Sequence, residues 1–215
     1  MAKRFQREGS MEPSPCRMAR IEFPGEETVS VAKQFTCIEP HHHDFILQQR
    51  IFFTASAAAQ GHVNVSPKDG AALRILSANS VAYLDQTGSG NETAAHLRAN
   101  GRLTIMFCAF AGAPLILRLY GQGKVLSRGS FAYSGLLASA FDNEERPGSR
   151  QIVVLTIDLV QTSCGYGVPL FEYVDERRTL TRWAEAKGEG GMEEYRRSKN
   201  VFSIDGYPTG MFESS

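Results

Sequence analysis

The sequence predicts a mainly β (α+β) domain, a small barrel with peripheral helices, and three observations carry that prediction. Apolar residues alternate with period two through Phe52–Thr54 and again through His62-Val63-Asn64-Val65-Ser66, so each segment has one buried face. A glycine loop, Thr87-Gly88-Ser89-Gly90-Asn91-Glu92-Thr93, opens a short helix over Ala94–Ala99. Two long strand-like runs, Leu115–Leu126 and Gln151–Ser163, complete the pattern. Strands flanking a glycine loop and a helix start are the order a small anion-binding barrel requires.

Residues 1–36 read as a flexible N-terminal extension, polar at first and then proline-containing, with a turn at Phe23-Pro24-Gly25 and a short edge strand over Thr28–Val31. Residues 37–215 read as one domain. Pro40-His41-His42-His43-Asp44 raises a metal site, but consecutive helical side chains point about 100° apart and do not converge on one ion. The expectation is no metal, with Pro40 and Asp44 starting a helix, Phe45–Arg50, that closes one end of the barrel.

Gly61 marks a reversal after the first strand, and Pro67-Lys68-Asp69-Gly70 reads as a turn, since proline presets one dihedral and glycine accepts a positive one. Arg74-Ile75-Leu76 begins the next strand. There a guanidinium can grip a phosphate with two parallel hydrogen bonds, while the Ile75 and Leu76 main chain bonds a planar ring. Val81–Asp85 is strand-like and leads into the glycine loop. Backbone N–H groups turned inward there, at the positive end of a helix dipole, would cradle phosphate. The alternative is that Ser89 or Asn91 simply caps the helix.

Ala111-Gly112-Ala113-Pro114 is a hairpin turn, and Gly121 and Gly123 within the following strand mark a bulge that helps close a barrel. Arg118 and Tyr120 share one face of that strand. Ser130–Phe141 is helical, with Phe131, Leu136, Leu137, Ala140 and Phe141 on its apolar side. In the last strand Ile152, Val154, Thr156, Asp158 and Val160 face one way, and Val153, Leu155, Ile157 and Leu159 the other. Helices over Glu176–Lys187 and Met192–Lys199 are separated by Gly188-Glu189-Gly190-Gly191, with Trp183 as a packing anchor.

Lys+Arg and Asp+Glu both number 23 in the 215 residues, so no general attraction to nucleic acid or an anionic membrane is expected. No apolar run reaches membrane-span length, no signal-peptide core precedes the domain, and the four cysteines lack CxxC or framework spacing. The expected compartment is the cytoplasm.

The stretches FFTAS, GHVNVSPKDG, RIL, VAYLD, GSGNET, HLRANGRLTIMF, RLYGQG and QTSCGYGVP resemble, in order, the FMN-binding split-barrel relatives of pyridoxamine 5′-phosphate oxidase. The likeness runs from about Asp44 to Gly206 and is narrowest to an uncharacterised branch of that family. It implies a six-stranded antiparallel split barrel, a homodimer, and FMN in the groove between subunits serving redox chemistry on a small molecule. It implies that Arg74 contacts the FMN phosphate and that Asn64, Ser66 and Lys68, on the strand beside the flavin, contact cofactor or substrate. Those polar residues merely facing water is the alternative. Ser89 and Thr93 join the phosphate set, and Arg118 would neutralise phosphate in place of an absent lysine or else simply face water on the barrel surface. Cys164 and Tyr166, in the SCGYGVP stretch, would line a substrate pocket, where Tyr166 stacks on a flat ligand, the alternative being that the glycines and proline of this stretch only form the turn into the final helices. The sequence departs from the namesake oxidase at Asn79, at Glu92-Thr93 where that enzyme has a basic pair, and in lacking a closing Arg-Leu-x-Pro segment. A non-catalytic binder of flavin, haem or pyridoxal phosphate on the same fold is the other reading, with His62 or His96 available as a haem ligand.

Overall fold

The computed structural model of the chain describes residues 18–19 and 32–213. Nine strands form one antiparallel sheet: β1 (Met18–Ala19), β2 (Lys33–Phe35), β3 (Ile51–Ser56), β4 (Asn64–Asp69), β5 (Leu73–Ser77), β6 (Ser80–Gln86), β7 (Arg102–Cys108), β8 (Ile116–Ser127) and β9 (Ser149–Ser163). Four helices surround it: α1 (Pro40–Gln48), α2 (Glu92–Asn100), α3 (Phe131–Ala140) and α4 (Thr179–Lys199). No helix among the described residues is long and apolar enough to cross a membrane.

The sheet path β4-β3-β7-β8-β9-β6-β5 puts β4 and β5 at opposite ends, yet only the 3₁₀ turn Gly70–Ala72 joins them in sequence. The sheet must therefore curl until its two edges meet, giving a split barrel of seven strands where six are implied by the family resemblance. β2 adds to the far half of β9, Lys33 lying opposite Thr162, while β6 pairs with the near half. The end of the expected N-terminal extension is thus a strand; the turn at Phe23-Pro24-Gly25 and the strand over Thr28–Val31 lie outside the described residues.

Phe52, Leu103, Ile105, Phe107, Leu117 and Leu119 point into the curl and are almost wholly buried. β6 and the first half of β9 are buried on both faces, because α3 covers the outside with Tyr133 and Phe141 against Ala82, Leu84, Ile152 and Val154. That explains their continuous apolar runs. Phe131, expected on this apolar side, is instead 95% exposed, since α3 turns Tyr133 toward the sheet.

Pro67, Lys68 and Asp69 continue β4, and the reversal starts only at Gly70. Proline is tolerated there because β4 pairs only with β3 and is an edge. The bulge forms where expected: Tyr120 faces Leu159 but Gly121 faces Ile157, leaving Asp158 as the extra residue of β9. It shifts the alternation by one, so Val160 is buried and Leu159 half-buried, a reversal of the expected facing. α2 begins at Glu92 instead of Ala94. The C-terminal helices break at Gly188 alone (φ 63°, ψ 174°), and Trp183 packs edge-on against Tyr195 at 5.0 Å. Cys37 is disulfide-bonded, so the scattered spacing does not mean that every cysteine is reduced; Cys108 and Cys164 are free thiols.

α1 opens with a reciprocal cap in which the Glu39 side chain accepts the His42 N–H and the Glu39 N–H donates to His42 Nδ1 at 3.1 Å. Glu39, His41 and His42 consequently bring ligand-type atoms within 4.8 Å of one another, but the Nδ1 lone pair of His42 is already engaged in the cap. Burial, and then the neighbouring His41, lower the His42 pKa to about 4. As pH falls below the ordinary value of 6.5 the unfolded chain takes up a proton that the folded chain refuses until about 4. Stability should decline across that window and level off below it, by on the order of 2–3 kcal/mol. Urea midpoints measured from pH 7 to pH 4 should fall less steeply in His42→Phe; parallel slopes would exclude His42 as the source.

Candidate functional site

A cavity of about 920 Å³ opens between β4, the end of β6, the glycine loop before α2, the segment 175–181 and the C-terminal turn at 202–204. Its floor is organised by Asp85, which ends the apolar run of β6 and is only 3% exposed. An acid in that position is retained only if cations and donors surround it. Lys68 Nζ on β4 donates to one carboxylate oxygen at 2.6 Å, while Arg150 Nε and Gln151 Nε2 on β9 donate to the other at 2.8 and 2.9 Å. Burial works to raise the Asp85 pKa, but the Arg150 and Lys68 charges outweigh it and hold the carboxyl well below the usual range. Beside it, burial and then the Asp85 charge push the Tyr83 hydroxyl well above its ordinary value.

Arg150 also shapes the glycine loop. Its Nη1 donates to the Gly90 carbonyl at 2.8 Å and to Asn200 Oδ1 at 2.9 Å, and Asn200 Nδ2 donates to the Gly88 carbonyl at 3.1 Å. Carbonyls on one side of the loop are therefore held by β9 and the end of α4. Asn91 occupies the N-cap of α2 but makes no side-chain cap; its Oδ1 instead accepts from Gln151 Nε2 at 2.9 Å, and its buried Nδ2 has no partner. The capping alternative for the loop is not what the chain adopts. The first-turn N–H groups of α2 stay available where Ser89, Gly90 and Thr93 line the cavity, the arrangement that binds oxyanions.

Of the residues picked from sequence, the cavity brings together Asn64, Ser66, Lys68, Ser89 and Thr93. Asn64 Nδ2 donates to Thr93 Oγ1 at 3.2 Å, and Ser66 Oγ to Asn64 Oδ1 at 3.1 Å, so β4 and the start of α2 share one polar chain. The Glu92 carboxylate accepts the Ile204 N–H at 3.0 Å but stays beside the loop: it lines the cavity, and its Oε1 lies 3.0 Å from where a Cβ on Gly90 would stand. Arg74, Ile75 and Leu76 do not line this cavity. The Arg74 guanidinium donates to the carbonyls of Ala140, Ala71 and Leu73 and lies over the Phe141 ring, because β5 runs along the α3 side of the sheet. Arg118 donates to Ser163 Oγ at 3.1 Å on the β8–β9 face, and Cys164 and Tyr166 are exposed beyond the end of β9. Of the two histidines considered for haem, His96 is buried against Ser56 Oγ at 3.1 Å, and His62 pairs with Asp205 at 2.7 Å.

Asp85, Arg150 and Asn200 were not picked out from sequence, although an acid ending an apolar strand was a usable signal. Arg150 and Asn200 carried none, since their partners lie 60 and 112 residues away.

A sequence profile described as pyridoxamine 5′-phosphate oxidase matches residues 38–164, which contain every strand of the curl and the glycine loop. A pyridoxamine 5′-phosphate oxidase family protein of Aspergillus flavus, ustO, is 39% identical over 181 residues, covering 77% of this chain and 72% of the relative. Solved structures that align include a HupZ variant from Group A Streptococcus, at TM-score 0.47 and 18% identity over 59% of this chain and 99% of that one. Another is a pyridoxamine 5′-phosphate oxidase-related, FMN-binding protein of Nostoc punctiforme, at TM-score 0.43 and 12% identity over 57% and 82%. With most of the chain accounted for by a curated relative at this identity and by a profile spanning the barrel, the chain belongs to the pyridoxamine 5′-phosphate oxidase family.

Proposed function

We propose that this chain is a homodimeric FMN-binding oxidoreductase acting on a small molecule by two-electron chemistry. The observation that carries the reading is the uncapped start of α2 on a large cavity, with the hydroxyls of Ser89 and Thr93 beside it. These groups suit a phosphate, and the Asn64–Ser66 chain on the neighbouring strand suits the polar edge of a flat ring. FMN, when bound, supplies the hydride chemistry. The chain's own part is to bind the phosphate, to present donors from β4, and to exclude water with the segment above the cavity. Family membership supports the cofactor. Val63 just before β4 and Val65 on it, 69% and 61% exposed, and Leu170, Phe171 and Val174 beyond β9 supply apolar surface for a second subunit.

The purified protein is expected to be yellow, absorbing near ~450 nm, or to become so with added FMN. Flavin fluorescence quenching should show about 10-fold weaker binding for Thr93→Val, the loss of one hydrogen bond to a charged group. Arg74→Gln, which lies outside the cavity, should stay within about 3-fold of the unmodified chain by the same measure. Reversed sensitivities would move the phosphate to the strand arginine, and a Soret band in place of a flavin spectrum would replace the reading with a haem carrier.

A further inference from the structure

The carboxylates lining the cavity all have partners within the protein. Asp85 is bound by Lys68 and Arg150, Asp69 by Arg146, and Glu92 by the Ile204 N–H. Asp175 accepts the Glu176 N–H at 2.8 Å, and Glu176 accepts the Tyr173 hydroxyl at 3.0 Å. Arg50 lies over the Tyr173 ring. Three lining cations, Arg50, Arg177 and Lys199, have no side-chain hydrogen-bond or ion-pair partner among the described residues, and of these Arg177 and Lys199 have no ring contact either. An unpaired cation on a concave wall attracts an oxyanion; of the neighbouring acids Asp69 and Asp85 are neutralised by cations, while Glu92, Asp175 and Glu176 are held by neutral donors.

The same mouth carries apolar side chains on a fixed backbone. Phe202 and Ile204 are 60% and 72% exposed, and Leu180 is 40% exposed, although each lines the cavity. The turn that displays them is pinned: Phe202 bridges to Pro208, Ser203 N–H donates to the Tyr207 carbonyl at 2.9 Å, and Asp205 accepts both the His62 N–H at 2.8 Å and its ring. A rigid turn that holds apolar side chains over a polar cavity is preorganised for an apolar ligand.

We infer that the cavity mouth takes the substrate, an oxyanion with an apolar aromatic or aliphatic body: Arg177 and Lys199 receive the charge, and Leu180, Phe202 and Ile204 pack the body. The inference rests on the flavoprotein reading only in calling that ligand the substrate. It is tested by calorimetric titration of the full chain, with and without FMN, using 2-naphthoate, uncharged 2-naphthamide, and acetate. Naphthoate should bind at least about 10-fold more tightly than either control. Arg177→Gln/Lys199→Gln and Phe202→Ser/Ile204→Ser should each weaken naphthoate about 10-fold, with the unfolding temperature unchanged because all four sites are exposed. FMN affinity should not move in either variant. Naphthamide equal to naphthoate, unaltered variants, or displacement of naphthoate by FMN would overturn the inference, the last by giving these cations to the cofactor phosphate. Failure of FMN uptake is read separately by fluorescence, and naphthoate heats on the flavin-free chain still decide whether the mouth binds an apolar anion.

Discussion

Asp85→Asn is expected to destabilise the protein by about 3–5 kcal/mol, the cost of breaking a buried ion pair from one side. The charge left behind is mainly that of Arg150, whose side chain is 5% exposed and has no other carboxylate to turn to. Lys68, at 22% exposure, recovers part of its hydration and adds less. For a domain of this length the loss corresponds to a fall of roughly 10 °C in unfolding temperature. Adding Arg150→Met to Asp85→Asn should restore part of the loss, since removing both charges ends the uncompensated burial. Thermal unfolding of the single and double variants measures this; a single-variant change below about 1 kcal/mol would show that water already reaches the pair. The pH sign is the same as that of His42, since both groups titrate lower in the folded chain than in the unfolded one, but the window lies lower. A carboxyl held below its unfolded pKa of 3.8 stabilises the fold at all pH above that value. Its contribution is lost progressively as pH falls from about 5 through the lower folded value, so Asp85 supplies almost no pH dependence between 6.5 and about 5.

Gly121→Ala is expected to cost at least about 3 kcal/mol, at the upper end of overpacking effects. A Cβ at this position would lie 1.9 Å from the Thr156 carbonyl oxygen, 2.9 Å from its carbonyl carbon and 3.1 Å from Ile157 Cα. All three are backbone of the neighbouring strand, so no side-chain rotation relieves the clash and the bulge itself must open. Gly123→Ala offers the internal comparison. Its Cβ would meet the Leu97 and Leu103 side-chain termini at 2.8–3.0 Å, which move more readily, so a loss of about 1–2 kcal/mol is expected. Urea unfolding of the two variants should separate them by at least about 1 kcal/mol, and equal losses would argue that the β8–β9 crossing is looser than its register shows.

The two positions differ in how readable they are. Gly121 announces itself in sequence, because glycine inside a long apolar strand has few uses besides a bulge or a close backbone approach. What could not be read was which residue of β9 the bulge leaves over, and hence that Val160 rather than Leu159 enters the core. Asp85 was visible as an acid closing an apolar strand, but its meaning depended on Arg150, 65 residues later. The same held at the cavity. Asn64, Ser66, Lys68, Ser89 and Thr93 converge because β4, β6 and the loop before α2 are near in chain and in space. In sequence Arg74 shows only its place at the head of a strand; the direction of its side chain is set by α3 folding over the outside of β5 and β6.

By itself the sequence determined the antiparallel strands, the glycine loop opening a helix, the Gly121 bulge and the family, because each rests on residues within a few positions of one another. Only the tertiary structure decided that Asp85 sits between Lys68 and Arg150, that Asn91 leaves α2 uncapped, and that Arg177, Lys199 and Phe202 share one cavity mouth. Those facts are set by the curl that brings distant strands and the C-terminal turn together. Charge pairing and burial act through space, and residue spacing along the chain carries no record of them.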